Sequence, residues 1–427
     1  MALSCPRYRI AGFLGAMWIG GCFVPPLLSG GAVAYAQEAR PDSTPTVHPD
    51  PLWQAVGGER IGPPAEIRAL WVVRETMRSA ESIDRMVDFA TQANFNVLFV
   101  QVRGRAETYY RSDIDPPAGD LEFSIADFDP LAYLLTVAHR RGLAVHAWVN
   151  VLYVWSDPQR EPPPRHVVRR HPDWFLSGPS GVRMTERDVR WWQRDGAEGY
   201  YLDPSIAAVR EYAAAVCKEL AQEYPLDGIH LDYVRYPGRT FTLDVAGRTA
   251  FALRWGIDPA HLAVQRANLD AAVGAPLVAR LDSAVTDLRA AYVDSTVAAI
   301  REATRPLVLS AAVDPDPDHA RYDKGQDWPT WVYRNDLDFV VPMLYNENPA
   351  SAAARMRMIA NTVGKQRVLP GLALHDGRAA GVADLVGVLR KAGARGIVLF
   401  SYNVLSEMPF PARYVHGVFF SGSAGTP

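Results

Sequence analysis

The chemistry this chain can perform is best organised around Asp232. It ends the run Asp227-Gly228-Ile229-His230-Leu231-Asp232, which passes directly into Tyr233-Val234-Arg235-Tyr236-Pro237. A period of two places Ile229 and Leu231 on one face and His230 and Asp232 on the other. Apolar flanks predict a strand covered on both sides, as in parallel sheets. A carboxylate at the C-terminal end of such a strand stands where α/β barrels place their reactive groups. The plainer alternative is an aspartate that caps the following loop.

Cleaving a glycosidic bond takes one carboxylic acid to protonate the leaving oxygen. It also takes a second carboxylate, as nucleophile or as base for water. Asp232 is assigned the nucleophile or charge-stabilising role, with Arg235 and His230 near enough in sequence to keep it ionised. Glu347 leads the candidates for the acid and Asp314 follows, with Asp203 and Glu75 behind them. Glu347 could equally be an ordinary surface carboxylate. The run Asp314-Pro315-Asp316-Pro317-Asp318-His319 reads as a rigid solvated turn rather than a cation site. His230 and Asp232 have a spacing that metals use, but no second histidine pair stands nearby, so no metal is assigned. No organic cofactor is implied, since hydrolysis needs only water and positioned acids.

These groups need a scaffold. Strand-like runs at 67–73, 96–102, 144–149, 228–231, 307–313, 339–343, 368–374 and 396–400 alternate with amphipathic segments at 82–93, 130–141, 206–224, 279–305, 352–363 and 382–392. Start signals fall at Ser79 or Ser82, at Asp129-Pro130 and at Asp203-Pro204-Ser205, and stop signals at Arg141-Gly142 and Ala392-Gly393. Eight strands with helical crossovers predict an α/β fold, a (β/α)8 TIM barrel. The first strand is not followed by a Gly-rich dinucleotide turn, which argues against an open doubly wound sheet.

Residues 150–205 and 238–278, after the third and fourth strands, are too long for simple loops and leave from the active-site face. They carry Trp155, Trp174, Phe175, Trp191, Trp192, Tyr200, Tyr201 and Phe241. Such rings suit sugar faces, or else pin the insertions to the barrel. Alternation groups Phe99, Gln101 and Arg103; His146, Trp148 and Asn150; and Ser310, Ala312 and Asp314. Met343 and Tyr345 lead to Glu347. If these faces point inward, they converge around Asp232.

Residues 1–36 read as a secretory signal: Arg7 and Arg9, then an apolar core, then Ala34-Tyr35-Ala36 before Gln37. Gly20-Gly21 and Pro25-Pro26 interrupt the apolar run, so no stable transmembrane span is expected. The alternative is a lipid anchor at Cys22, after Ile19-Gly20-Gly21. Cleavage removes two arginines and no acids, taking the net charge from −3 to about −5, so no basic field is left to hold nucleic acid. Of three cysteines only Cys217 would remain, which excludes an intramolecular disulfide framework. Residues 37–64 read as a flexible leader, 65–408 as the barrel and 409–427 as a C-terminal tail.

The chain resembles the glycosyl hydrolase-like 10 family over roughly residues 65–403. The matching stretches, in order, include Glu66-Ile67-Arg68-Ala69-Leu70-Trp71-Val72, Asn96-Val97-Leu98-Phe99-Val100-Gln101-Val102-Arg103, Asp129-Pro130-Leu131 and the run ending His146-Ala147-Trp148-Val149-Asn150. His171-Pro172-Asp173-Trp174, Tyr201-Leu202-Asp203-Pro204, Asp227-Gly228-Ile229-His230-Leu231-Asp232-Tyr233, Gln326-Asp327-Trp328 and Pro342-Met343-Leu344-Tyr345 follow. The resemblance implies a bacterial secreted or lipid-anchored glycosidase barrel, with some relatives linked to cell-wall glycan strands. Carried over by position, Asp232 matches the strand-four aspartate, and Gln101, Arg103, Trp148, Asn150, His230 and Tyr345 match cleft positions. The chain departs from the family at Tyr233, where a second aspartate is usual, at Asp203, where asparagine is common, and at Met343, where glutamine is.

The residues expected to bind substrate are therefore Gln101, Arg103, His146, Trp148, Asn150, Tyr201, Asp203, His230, Arg235, Tyr236, Gln326, Trp328 and Tyr345. The leading expectation is a glycoside hydrolase, secreted or periplasmic at the cell envelope, with peptidoglycan strands as first substrate. The alternative is a non-catalytic glycan-binding protein on the same barrel. A phosphate-handling barrel finds little support, because Gly371 and Gly377 are too sparse for a cradle.

Overall fold

The computed structural model describes residues 66–178, 181–345, 347–373, 379–408 and 415–418. The expected signal, the leader, Leu374, Gly377 and most of the tail lie outside the described residues.

Eight strands form one parallel sheet: β1 Ile67–Val72, β2 Val97–Arg103, β3 Ala144–Asn150, β4 Gly228–Asp232, β5 Val308–Val313, β6 Phe339–Pro342, β7 Gly371–Ala373 and β8 Gly396–Phe400. Each follows its predecessor in space, and β8 returns to pair with β1, Phe400 opposite Trp71. Parallel bridges from Val340 to Val368 and from Met343 to Gly371 span the last gap, between β6 and β7. The helices after the strands are α1 Ala80–Gln92, α2 Pro130–Arg140, α3 Ala207–Glu223, α4 Ala275–Thr304, α5 Trp328–Tyr333, α6 Pro349–Val363, α7 Ala379–Lys391 and α8 Tyr402–Ser406. This is the expected (β/α)8 barrel.

Period-two alternation makes two cores from one set of strands. Ala69, Trp71, Phe99, Trp148, Ala312, Phe339 and Val398 fill the barrel interior. Leu70, Val72, Leu98, Val100, Ile229 and Leu231 face outward and bury themselves against the helices, as with Ile83 and Met86 of α1. Burying one such side chain is worth about 1.5–3 kcal/mol. The interior leaves little slack: a Cβ at Gly228 would lie 2.5 Å from the His146 ring.

Helix starts follow their caps. The Ser79 side chain accepts from Ser82 N in a capping box, and Asp129 accepts from Ala132 N with Pro130 in the first turn. The third start differs. The N-cap of α3 is Ile206, without a side-chain cap, because Asp203 is engaged elsewhere. The aspartate–proline run after β5 also differs from its reading as a solvated turn: Asp316 accepts from Asp318 N and His319 N and starts a helix at Pro317–Lys324.

The β3–β4 connection opens with Tyr153–Trp155, which pairs antiparallel with Tyr200–Tyr201. Short helical turns at Val167–Arg170, Met184–Glu186 and Val189–Arg194 lie between them. The segment after β4 holds three further helices, Val245–Trp255, Pro259–Val264 and Arg266–Val273. Reciprocal backbone hydrogen bonds between Ser177 and Thr242 tie the two segments together.

Candidate active site

The register of β2, β3 and β4 builds the floor of the site. Gln101 stands opposite Trp148, Trp148 opposite His230, and Asn150 opposite Asp232. The strand ends thus bring Gln101, Trp148, Asn150 and Asp232 to one place. Gln101 Nε2 donates to Asn150 Oδ1 at 3.3 Å, and Arg74 Nη1 donates to Gln101 Oε1 at 3.2 Å. Asn150 Nδ2 in turn donates to Gly104 O at 2.8 Å.

Asp232 is 9% exposed. Its Oδ1 accepts from Tyr233 N at 2.7 Å. Tyr233 itself sits at φ 50°, a left-handed backbone that is strained for a bulky residue. The turn lays its ring on Tyr153, centroids 4.7 Å apart and 25° from parallel. The Arg235 guanidinium covers the ring at 4.6 Å, and its Nη2 donates to Glu198 Oε1 at 3.2 Å. The second oxygen of Glu198 accepts from Tyr201 Oη at 2.5 Å. Gly199 permits this hairpin, since a Cβ there would lie 2.0 Å from Trp155 O.

The two carboxylates are driven apart. Burial pushes Asp232 up to about 6, although Arg235, the Tyr233 N–H and Trp148 favour its ionised form; the Glu198 charge adds to the rise. Burial also opposes charge on Glu198, but Arg235 and Tyr201 outweigh it and hold Glu198 below the usual carboxylate range. The Trp148 indole N–H is buried beside Asp232, favours its ionised form, and makes no well-formed hydrogen bond among the described residues. Burial raises the Tyr345 phenol, and the charge of Asp232 adds to that, so Tyr345 also faces the site. A carboxylic acid beside an ionised carboxylate, ringed by aromatic faces, can protonate a leaving oxygen while opposing positive charge at carbon.

Other residues expected at the site hold other partners. His230 lies one layer deeper: it accepts from Trp71 Nε1 at 3.1 Å, pairs with Ser310 Oγ at 2.9 Å and stacks on Phe99 at 4.5 Å. Burial holds it neutral, well below the usual histidine range, so it supplies no positive charge to Asp232. His146 is deeper still, pushed down to about 4 by burial. Arg103 is bound to Asp115 Oδ2 at 2.7 Å, to Tyr212 Oη at 2.8 Å and to Asn150 O. Tyr236 lies under the Arg289 guanidinium at 4.3 Å. Asp203 accepts from Ser205 N at 2.8 Å and Asp244 N at 2.5 Å, joining the two insertions.

Gln326 accepts from Asp314 N at 2.9 Å and Trp328 Nε1 donates to Asp314 O at 3.1 Å, so both pin the chain after β5. The Asp314 carboxylate pairs with His319 Nδ1 at 2.8 Å. Glu347 stands 3.7 Å from Arg355 and lines a hollow with Leu344, Pro349, Leu372 and Val382. Glu75 stands 3.0 Å from Arg74. Among the insertion rings, Trp155, Phe175, Trp192, Tyr201 and Phe241 are buried pins. Trp174 stacks on His171 at 3.8 Å. Trp191 alone is widely open, 46% exposed between Arg187 and Arg194.

The sequence reading missed Glu198, Tyr153 and Arg74. The one local signal for Glu198 is a carboxylate between glycines just before Tyr200-Tyr201. Among the described residues no three His, Cys, Asp or Glu side chains gather as a metal set, and no helix is long and apolar enough to cross a membrane.

Known proteins bear on this geometry. The Bordetella bronchiseptica PgaB (BpsB) glycoside hydrolase domain superposes with a TM-score of 0.61 at 16% identity, covering 83% of this chain and 99% of that one. The catalytic domain of a Paenibacillus polymyxa β-amylase gives 0.56 at 12% identity, covering 84% and 98%. At such identities these likenesses establish the barrel alone. In sequence, glycosyl hydrolase DigH of Escherichia coli strain K12 is 27% identical over 192 residues, 44% of this chain and 40% of the relative. Glycosyl hydrolase YngK of Bacillus subtilis strain 168 is 22% identical over 322 residues, 68% of this chain and 56% of the relative. The chain thus spans less than two thirds of the length of either. The model of the glycosyl hydrolase-like 10 family matches residues 66–380, most of the chain, and on that match this protein belongs to the glycosyl hydrolase-like 10 family.

Proposed function

We propose that this chain hydrolyses glycosidic bonds at the bacterial cell envelope, with Asp232 as the proton donor and peptidoglycan glycan strands as the first substrate. One observation carries the reading. Asp232 is a buried carboxyl at a barrel strand end, pushed up to about 6, beside an indole N–H that makes no well-formed hydrogen bond among the described residues. A carboxyl that keeps its proton into mildly acidic pH is suited to protonating a leaving oxygen. This favours an acid over the nucleophile or charge stabiliser read from sequence, because burial outweighs the pull of Arg235 and His230 is neutral. The rings of Trp148, Tyr233 and Tyr345 adjoin the carboxyl and Tyr153 stacks on Tyr233, aromatic faces that suit sugar rings. The shared hydrolase names of the relatives support the reaction class.

The test compares the purified protein with its Asp232→Asn variant on glycan strands, with and without stem peptides, by mass spectrometry of released fragments. New reducing ends from the unaltered protein alone support the reading. Equal release by both overturns it. Binding without release, unchanged in Asp232→Asn, favours a glycan-binding barrel instead. An acid role also predicts a smaller loss on aryl glycosides, whose leaving groups depart without a proton.

A further inference from the structure

We propose that Glu198 is the second carboxylate of the hydrolytic pair, reaching the anomeric carbon from the β3–β4 insertion while Asp232 meets the leaving oxygen from β4. This rests on the hydrolase reading above. Three observations carry it. Glu198 is tied to the turn that begins at Asp232, through Arg235 Nη2 at 3.2 Å, and Arg235 lies on the ring of Tyr233. Its other oxygen is fixed by Tyr201 Oη at 2.5 Å, so the carboxylate is oriented from two sides. Its side chain is nevertheless 41% exposed, leaving lone pairs open to a ligand.

The other carboxylates considered lack this combination. Asp314 pairs with His319 and Glu347 lies near Arg355, partners outside the turn that begins at Asp232, and Asp203 is fully buried with both oxygens on backbone amides. The charged and titratable groups around Glu198 are Arg235, Tyr233 and Asp232 from the end of β4, Tyr201 from its own strand and Tyr153 from the facing one. Arg235 is the cation bonded to Glu198 and favours its ionised form, while Arg74 and Arg105 act on Tyr153 and burial raises Asp232.

The Asp232 proton passes to the glycosidic oxygen, and the C1–O bond breaks with its electron pair on that oxygen. The Glu198 anion meets the electron-deficient C1 by bonding to it, or by taking a proton from the water that does so. In the first case water later attacks C1, gives its proton to Asp232 and frees Glu198.

The test uses the full chain with Asp232→Asn, Glu198→Gln and Glu198→Ala on peptide-free glycan strands, counting reducing ends. Glu198→Gln is expected to lose about 100-fold or more. Azide should restore part of the Glu198→Ala rate and yield a glycosyl azide of configuration opposite to the substrate's. Removing the Glu198 charge also lowers the Asp232 pKa, so the residual activity should fall off at lower pH than in the unaltered protein. Tyr201→Phe keeps the packing and removes only the hydrogen bond, and should move the acid limb of kcat/KM to higher pH. If Asp232→Asn is inactive while Glu198→Gln stays within about threefold of the unaltered rate, this inference falls and the Asp232 reading stands. If neither variant loses rate, both fall. A glycosyl azide of retained configuration would place Glu198 on the leaving-group side and overturn the role.

Discussion

Arg103 and Asp232 are both buried charged groups at the ends of strands flanking β3, and they are treated in opposite ways. Arg103 is used up: it donates to Asp115, Tyr212 and the carbonyl of Asn150, while Tyr212 donates in turn to Asp115 Oδ1 at 2.5 Å. A buried ion pair satisfied on every side fixes structure and has nothing left to offer a ligand. Asp232 accepts from one backbone N–H, burial pushes its carboxyl up, and the indole N–H beside it makes no well-formed hydrogen bond among the described residues. Underpaired buried groups are costly, so they mark places where another molecule is meant to complete the set. A family motif names both residues; the hydrogen-bond inventory shows that Arg103 is fully paired and Asp232 is not.

The contrast can be broken by mutation. Asp232→Asn should lose about 100- to 10,000-fold in hydrolytic rate while its thermal midpoint stays level or rises, since a poorly solvated carboxyl is removed. A variant that unfolds instead would make Asp232 structural. Arg103→Met should do the reverse, losing about 3–5 kcal/mol of stability in urea titration because the Asp115 charge is left buried and alone. Full stability with lost turnover would exchange the two roles. Asp203→Ala strands two backbone amides that join the insertions and should cost about 1–3 kcal/mol, read in the same titration, with little change in kcat on short substrates. Asp203 is itself pushed up to about 6 by burial, yet both its oxygens are occupied.

The barrel was legible because each strand carries its own period-two pattern and the helices their own caps, all local signals. The place of Asp232 at a strand end was legible for the same reason, since such an end can be counted. Partners distant in sequence were not. Glu198 meets Arg235 across 37 residues, and the hairpin that brings them together has no periodic signature. Arg103 looked like a cleft residue from its face, but Tyr212, 109 residues away, claims it. Gln326 and Trp328 were likewise placed near the right strand, while their bonds to Asp314 main-chain atoms, which make them pins, come from the fold. His230 shares the face of Asp232, yet alternation does not report depth, and two residues down a strand is a separate layer of the interior.

pH should separate the two carboxylates further. As a general acid Asp232 must be protonated, so kcat/KM should fall as pH rises through about 6. The same shift bears on stability. Folded Asp232 binds its proton up to about 6, whereas the unfolded chain releases it near 3.8. Between those values the folded state holds more protons, so this group's contribution falls as pH rises. Asp232→Asn should therefore flatten the stability profile across that window, as followed by thermal unfolding in matched buffers. An unchanged slope would mean that Asp232 ionises normally.

The smallest expected effect is also the most specific to the underpaired site. The Trp148 N–H favours the ionised form of Asp232 without making a well-formed hydrogen bond among the described residues. Trp148→Phe keeps an aromatic face against Phe400, 6.4 Å away in the native packing, and removes that dipole. The Asp232 pKa should then rise, moving the basic limb of kcat/KM up by a few tenths of a unit, each full unit being about 1.4 kcal/mol. The maximal rate should change little if the indole only tunes the acid. A large fall in kcat with no movement of the limb would instead mean that the N–H binds the sugar directly, the second kind of partner an unpaired donor at a barrel mouth can be waiting for.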